Sequence, residues 1–288
     1  MKQQDMYKIL AFFLAFTMIF SIFAYIFINP RDETQQQTED QTQDHYDPDL
    51  WTFNQPFGSI SDALNITPAG AESASYLDLE SMTPQMAQEM KKDPLIGELD
   101  NIYKSNTTKM YYANLLDGNN RSIMVLSNMY PEKNDFEYMV IENSYPFILK
   151  RLDMNGYYNV MGAPVLLAPG DTIMGVLSIV DSLNETNTSY TRYKMLLSKV
   201  PNAPFQSITS NVTFAKQFYE GIRMNNGSYE LNTAYLDANV TLLKKLNQLK
   251  TNSSERGILQ YDIVSSGNVT IVKMSSKDLY AVLMEDVN

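Results

Sequence analysis

The chain has 288 residues, a formal net charge of −11 at pH 7, no cysteine and a single histidine, His45. An acidic protein is not attracted to nucleic acid or to an anionic membrane surface, so neither is an expected partner. The missing cysteine and the lone histidine exclude disulfides, lipid-modified cysteines, Cys/His metal sites, and Ser-His or Cys-His catalysis in the folded part.

The first predicted element is an apolar helix over residues 9–28, twenty residues without a charge. A helix of that length reaches about 30 Å, the thickness of the hydrocarbon core of a bilayer. Lys2 and Lys8 precede it, whereas Arg31 is followed at once by two acidic residues. This charge bias predicts that residues 1–8 are cytoplasmic and that the C-terminal part is extracellular.

The apolar run is longer than the ~7–15 residues usual in a cleavable signal and does not end in a small-x-small site. We therefore predict an uncleaved, single-pass signal anchor at the cell membrane, with the lipid bilayer as its partner. A pilin-like leader before a filament-forming helix is the weaker interpretation, because no glycine or alanine stands at the processing point and Lys8 would lie inside the packed helix.

Residues 29–50 are predicted to be a disordered linker. Pro30 ends the apolar helix because proline cannot continue it. The stretch 31–49 contains no aliphatic residue and is rich in Gln, Asp, Glu and Thr, so it cannot bury enough surface to offset its ordering entropy. His45 lies in this linker.

From Trp51 onward the pattern predicts an α+β domain with a mainly antiparallel sheet and packed helices. The predicted strands cover 73–79, 109–116, 122–127, 136–141, 157–167, 214–224, 228–236, 259–264 and 269–274. The predicted helices cover 84–92, 171–183 and 190–199, with one further helix after residue 237 and one after residue 275. We expect the helix over 171–183 to be apolar on most of its surface and buried.

Turn and cap signals support several of these elements. The segments 117–120 and 225–227 have hairpin-turn composition. Thr83-Pro84 offers a cap and a first-turn proline, and Asp237 is a candidate cap for the helix that follows it. Ser275 to Asp278 has the spacing of a capping box.

Residues 105–122 and 210–228 share a similar order of Ser, Asn, Thr, Lys and Tyr positions. The similarity suggests a duplicated unit, which would divide the domain into subdomains 51–165 and 166–288. Coincidence in a chain rich in Asn and Tyr is the competing interpretation.

The chain contains ten Asn-x-Ser/Thr sequons without an intervening proline, all after the apolar helix. About 3.6 would occur by chance if Asn and Ser/Thr positions were independent. We therefore predict N-glycosylation at several of them, and the combination of many sequons with no cysteine resembles archaeal cell-surface proteins in style. The candidate asparagines are Asn65, Asn106, Asn120, Asn184, Asn187, Asn211, Asn226, Asn239, Asn252 and Asn268.

No catalytic, cofactor-binding or metal-binding residue is predicted, because neither a phosphate-binding loop nor a dinucleotide-binding fingerprint occurs. The carboxylate pairs Asp78 with Glu80 and Glu285 with Asp286 are interpreted as parts of a solvated acidic surface. The tyrosines and phenylalanines of the predicted hairpins are expected to be mostly buried, although an outward-facing aromatic row would suit a sugar or protein contact.

Three functions remain open at this stage. The first is a non-catalytic, membrane-anchored surface protein whose domain binds an envelope protein or a glycan. The second is an extracytoplasmic enzyme using carboxylate, Tyr, Lys or Ser chemistry. The third is a filament or surface-layer subunit assembled through its apolar helix. The sequence does not indicate an oligomeric state.

Overall fold

The computed structural model describes residues 48–117, 120–133, 136–142, 146–151, 154, 156–181 and 187–285. The predicted cytoplasmic segment, the apolar helix over 9–28 and the linker up to residue 47 lie outside the described residues. Across the described ranges, no helix has the length and apolar character to span a bilayer. Pro48–Leu50, assigned by the sequence to the linker, forms a 3-10 turn in which Leu50 is buried.

The described part of the chain is a mixed α+β fold with fourteen strands and seven α-helices. The helices are α1 (Ile60–Ile66), α2 (Pro84–Met90), α3 (Pro94–Tyr103), α4 (Gly170–Asp181), α5 (Ser189–Leu197), α6 (Val240–Thr251) and α7 (Leu279–Leu283). The strands are β1 (Phe53–Asn54), β2 (Ala71–Asp78), β3 (Asn106–Asp117), β4 (Asn120–Tyr130), β5 (Tyr138–Glu142), β6 (Ile148–Arg151), β7 (Tyr157–Val160), β8 (Gly162–Ala163), β9 (Val165–Pro169), β10 (Phe205–Val212), β11 (Ala215–Asn225), β12 (Ser228–Leu236), β13 (Gln260–Ser266) and β14 (Val269–Ser276).

Twelve strands form one antiparallel sheet in the order β13-β14-β12-β11-β10-β2-β3-β4-β9-β7-β6-β5, and β1 pairs in parallel with β8. The pair β2 and β10 joins strands from the two predicted subdomains near the middle of the sheet, with Ser75 opposite Ser207. Strand β9 spans the predicted boundary at 165/166. The division into two subdomains remains a prediction, and the predicted antiparallel α+β architecture is confirmed.

Helices cover both faces of the sheet. One hydrophobic cluster, on what we call the first face, includes Leu99 of α3 and Leu246 of α6. The other cluster, on the second face, includes Leu64 of α1, Val176 of α4 and Leu196 of α5. Because neither face is fully solvated, five of the six hairpin aromatics that could have formed an outward row are buried and the sixth is half-buried against the core. They are Tyr111, Tyr112, Tyr219, Tyr229 and Tyr235, with Phe218 the half-buried ring.

Two of the three predicted helix caps differ in the structure. The Thr83 cap on α2 is confirmed, since its hydroxyl accepts the Met86 N–H at 3.3 Å. The prediction for α6 is wrong: Asn239, and not Asp237, accepts the Leu242 N–H, at 2.8 Å. The capping box is also wrong, because Ser276 ends β14 and Asp278 alone caps α7. Before α6, Asp237 has a φ of 52°, which is not the extended conformation that a helix cap adopts. Before α7, strand β14 continues two residues beyond its predicted end at 274.

Replacing Asn239 by Ala should lower the free energy of unfolding by about 1 kcal/mol, because an N–H in the first turn of α6 loses its acceptor. Asn239→Asp retains the acceptor and should stay within a few tenths of a kcal/mol of the parent. Urea denaturation of the unglycosylated protein measures both variants, and an equal loss for Asp and Ala would contradict the capping role.

Several elements were missed by the sequence patterns. α1, α3, β1, β6 and β10 were not predicted, and the single strand expected over 157–167 is divided into β7, β8 and the start of β9. The expectation that α4 is buried on most sides is wrong, since Ile173 and Val176 are fully buried but Met174 is 52% exposed. The helix lies on the second face and buries only one stripe of its surface.

Candidate binding site

A polar row crosses the middle of the first face. Ser75 lies opposite Ser207, Ser207 opposite Glu220, and Glu220 opposite Thr233. Opposite residues of antiparallel strands place their side chains on the same face, about 4.5–5.5 Å apart at Cβ. The Ser75 hydroxyl donates to Ser207 Oγ at 3.3 Å. The row therefore brings three hydroxyls and one carboxyl together within an otherwise apolar layer.

The row lies between two groups of helices. On one side α3 packs on β3, and on the other side α6 packs on β13 while α7 packs on β12 and β14. Ser207 and Glu220, on the strands between these groups, are half-buried, whereas Ser75 and Thr233 are buried. Helices α2 and α7 are in contact beside this region, where the Tyr280 hydroxyl donates to Glu89 Oε1 at 2.8 Å.

Aromatic rings line the recess beside Glu220. Phe218 is opposite Tyr235, one same-face position along the strands from the pair of Glu220 and Thr233. The two rings stack with centroids 5.2 Å apart and planes 30° apart. Phe214 meets the Phe218 ring edge-on at 5.5 Å. We call the site formed by Ser207, Phe218, Glu220, Thr233 and Tyr235 the Glu220 recess.

Glu220 is electrostatically uncompensated. Burial raises the pKa of its carboxyl to about 7, and no charged side chain in the described ranges contributes to the shift. Keeping an ionised carboxyl away from water without a partner is costly, so the group is close to half-protonated at neutral pH. Groups of this kind are more frequent at functional sites than in ordinary cores.

Two hydroxyls of the recess are also unsatisfied. Thr233 Oγ1 and the Tyr235 hydroxyl are buried and have no hydrogen-bond partner among the described residues. Burial raises the pKa of Tyr235. The nearby Thr233 hydroxyl lowers that pKa, although the two groups do not form a hydrogen bond of normal geometry, and the charge of Glu220 raises it further. Buried hydroxyls usually find partners, so these atoms are available to a ligand or to water.

A second buried carboxyl, Glu230, has the opposite environment on the second face. It is 3% exposed and forms ion pairs with Arg223 at 2.6 Å and Lys273 at 2.9 Å. The amides of Asn225 and Asn232 donate to it at 3.1 Å and 2.9 Å. Burial alone would raise the pKa of Glu230, but these four partners together lower it to about 2. This network is internally satisfied and is a structural feature of the sheet.

The interpretation of the carboxylate pairs as a solvated acidic surface is wrong for Asp78 and Glu285, whereas Glu80 is exposed. Asp78 is buried and pairs with Lys109 at 3.0 Å. Glu285 is buried and pairs with Arg256, whose Nε donates to it at 2.9 Å. Asp286 lies outside the described residues. The described ranges hold no cluster of three or more acidic or histidine side chains arranged for a metal ion.

Eight of the ten sequon asparagines have described side chains, and all eight are exposed. They are Asn65, Asn106, Asn187, Asn211, Asn226, Asn239, Asn252 and Asn268. Asn120 begins β4 but its side chain is not among those described, and Asn184 lies outside the described residues. The hairpin predicted at 225–227 is confirmed, which places Asn226 at its tip with φ of 49°.

The Glu220 recess was not found by sequence reasoning. Glu220 follows Tyr219 and precedes Gly221 in a strand whose two faces are both partly apolar. Alternation therefore does not reveal which face is the more deeply covered. The one available signal was a charged residue between Phe218 and Ile222 on the same face of the predicted strand, and that signal is equally consistent with an edge position.

No protein-family model and no curated protein sequence matches the chain. Among solved structures, crystal form III of TP0453 is 11% identical, with 77% of this chain and 97% of TP0453 covered and a TM-score of 0.44. Crystal form I is 10% identical, with 78% and 97% covered and the same TM-score of 0.44. Identities this low do not transfer a ligand or an activity to this chain.

Proposed function

We propose that this chain is a membrane-anchored, N-glycosylated cell-surface protein whose extracytoplasmic α+β domain binds a ligand or an envelope partner without catalysing a reaction. The exposure of all eight sequon asparagines with described side chains carries this proposal. A glycan is bulky and hydrophilic, so it is compatible only with surface positions. The apolar segment 9–28 and its charge bias support the anchor and the orientation.

Several sequons are grouped at one end of the strands β10, β12 and β14. Asp237 N–H donates to the Asn268 carbonyl at 2.8 Å, and Asn239 N–H donates to the Phe214 carbonyl at 2.9 Å, which brings the chain near Asn211, Asn239 and Asn268 together. The N-terminal strand β1 pairs with β8 near the opposite end of the strands, where β9 begins beside the C-terminal part of β4. Glycans at this group would lie at the end of the strands opposite to the point where the tether enters the domain.

The proposal predicts which sequons carry glycans. Thr213, Thr241 and Ser254, the hydroxyl residues of the Asn211, Asn239 and Asn252 sequons, are exposed. By contrast, Thr67 of the Asn65 sequon is buried, with its hydroxyl 2.9 Å from that of Tyr111. We expect occupancy at Asn211, Asn239 and Asn252, and at Asn65 only if transfer precedes folding, because the acceptor motif includes the hydroxyl residue.

Mass spectrometry of glycopeptides from protein extracted from its native membrane measures these occupancies. Protease added to intact cells should release the same glycopeptides and leave the N-terminal segment in the membrane. A protected C-terminal domain, or unmodified Asn211, Asn239 and Asn252, would overturn the proposal.

A second candidate function is extracytoplasmic enzymatic activity, and the environment of Glu220 specifically favours it. A carboxyl whose pKa is raised by burial to about 7 is suited to act as a general base near neutral pH. Glu220→Gln distinguishes the candidates: in an enzyme it should abolish turnover while substrate still binds, whereas in a binding protein it should weaken binding itself. The filament alternative depends on the apolar helix and predicts a large polymer on detergent extraction.

A further inference from the structure

We propose that the Glu220 recess binds a small organic ligand through a primary ammonium group. The inference deepens the proposed binding function by naming the ligand class, and it rests on that function. It stands on four features of the recess: a carboxyl without a counter-charge, unpartnered buried hydroxyls, an aromatic side and the half-buried position of Glu220 between two groups of helices.

The first step concerns charge. Across the described residues Glu220 has neither an ion pair nor a hydrogen bond to its carboxyl, and burial is the only cause that raises its pKa. Many titratable groups lie on the surrounding elements. They include Glu89 on α2, Asp93, Glu98, Asp100 and Tyr103 at or on α3, Tyr112 on β3, Tyr229 and Tyr235 on β12, Tyr261 on β13, Lys244, Lys245 and Lys250 on α6, and Tyr280 on α7. The lysines of α6 do not contribute to the change in the pKa of Glu220. A cationic ligand would therefore supply the counter-charge that the protein does not provide.

The second step concerns hydrogen bonds. A primary ammonium has three N–H donors and no acceptor. The carboxylate of Glu220 is a charge-assisted acceptor, and the oxygen atoms of Thr233 and Tyr235 are buried without partners. Thr233 is 1% exposed and lies opposite Glu220 in the sheet, so its hydroxyl and the carboxyl converge on the same volume. A ligand ammonium would satisfy all three kinds of oxygen together.

The third step concerns the ligand's carbon atoms. The stacked rings of Phe218 and Tyr235 lie next to the carboxyl and offer an apolar surface for a short alkyl stem. A cation close to an aromatic face gains a further electrostatic attraction. Thr233 and Tyr235 are buried and Glu220 is half-buried, which favours a small ligand over a folded partner.

The proposal predicts the sign of a pH effect. An alkylammonium remains charged between pH 6 and 8, whereas Glu220, with a pKa of about 7, is mostly protonated at pH 6 and mostly ionised at pH 8. The ligand binds the ionised form, so its affinity should increase about tenfold from pH 6 to pH 8. A neutral hydroxylated ligand that accepts a proton from the carboxyl would show the opposite trend.

The experiment is calorimetric titration of the full chain in detergent with n-butylammonium chloride at pH 6 and pH 8. 1-Butanol tests whether the charge is required, tetramethylammonium tests whether N–H donors are required, and sodium chloride controls for ionic strength. We expect saturable binding of butylammonium alone, tighter at pH 8. Glu220→Gln should abolish it, whereas Glu80→Gln, at an exposed carboxyl between β2 and α2, should leave it unchanged.

Thr233→Val provides a second variant that retains the charge and should weaken binding severalfold through the lost oxygen. Absence of saturable binding to the parent at pH 8, equal binding by Glu220→Gln, or equally tight binding of butanol or tetramethylammonium would each overturn the proposal. Failure of this test with the expected glycopeptides present would reject the ligand class alone, since glycosylation and topology are measured independently.

Discussion

Glu220→Gln is expected to raise the free energy of unfolding by about 2 kcal/mol at pH 8 and to change it little at pH 4. Burial raises the pKa of Glu220 from 4.5 to about 7. Protonated Glu220 therefore makes its full contribution to the stability of the parent protein below pH 4.5. This contribution is lost as the pH rises to 7. The full shift corresponds to about 3 kcal/mol, which solvent access to the half-buried carboxyl reduces.

Urea denaturation of the parent and of Glu220→Gln at pH 4, 6 and 8 measures the effect as a difference between proteins, so the other acidic groups cancel. Glu80→Gln is the matched control and should show no comparable pH-dependent gain. A difference between parent and Glu220→Gln that is constant with pH would mean that the carboxyl is solvated in the folded protein, and the recess would then lose its electrostatic basis.

Glu230→Gln is expected to lower the free energy of unfolding by about 3 kcal/mol at pH 7. The hydrogen bonds from Asn232, Lys273, Asn225 and Arg223 outweigh burial and lower the pKa of Glu230 from 4.5 to about 2. The pH dependence for Glu230 is opposite to that for Glu220. Ionised Glu230 contributes to stability above pH 4.5, and this contribution is lost as the pH falls to 2. A neutral amide at this position would leave Arg223 and Lys273 without their shared anion.

The same denaturation series at pH 3, 5 and 7 checks this prediction. The difference between parent and Glu230→Gln should shrink as the pH falls, whereas the difference for Glu220→Gln should grow as the pH rises. Two glutamates ten residues apart would then show opposite linkage. A loss for Glu230→Gln that is the same at pH 3 and pH 7 would indicate a packing effect and would contradict the ion-pair explanation.

Local signals in the sequence were sufficient for the features that depend on neighbouring residues. Asn226-Gly227 favours a tight turn because both residues tolerate positive φ, and the hairpin of β11 and β12 forms there. Thr83-Pro84 starts α2 because a hydroxyl acceptor and a fixed φ suit the first turn. Composition likewise excluded disulfides and cysteine chemistry, since these need residues that the chain lacks.

Features that depend on distant contacts could not be predicted in this way. Strand β10 has no clear alternation, and it is a strand because β2 and β11 pair with it on either side. Asp237 and Asn239 both suit a helix cap, but the bond from the Asp237 N–H to the Asn268 carbonyl holds Asp237 at a φ of 52°, and the helix begins after Asn239. In each case the structure depends on a hydrogen-bonding partner that is distant in the sequence.

The sequence by itself determined the class of the domain, its main hairpins and the positions of its Asn-x-Ser/Thr sequons, because these follow from composition and short-range pattern. Only the tertiary structure decided the electrostatic environments of Glu220 and Glu230. These two residues lie on neighbouring strands, and each directly follows a tyrosine in the sequence. One faces a gap between helices without a counter-charge, and the other meets two cations on the opposite face. A carboxyl's pKa depends on its surroundings in space, and those surroundings exist only after the sheet has formed.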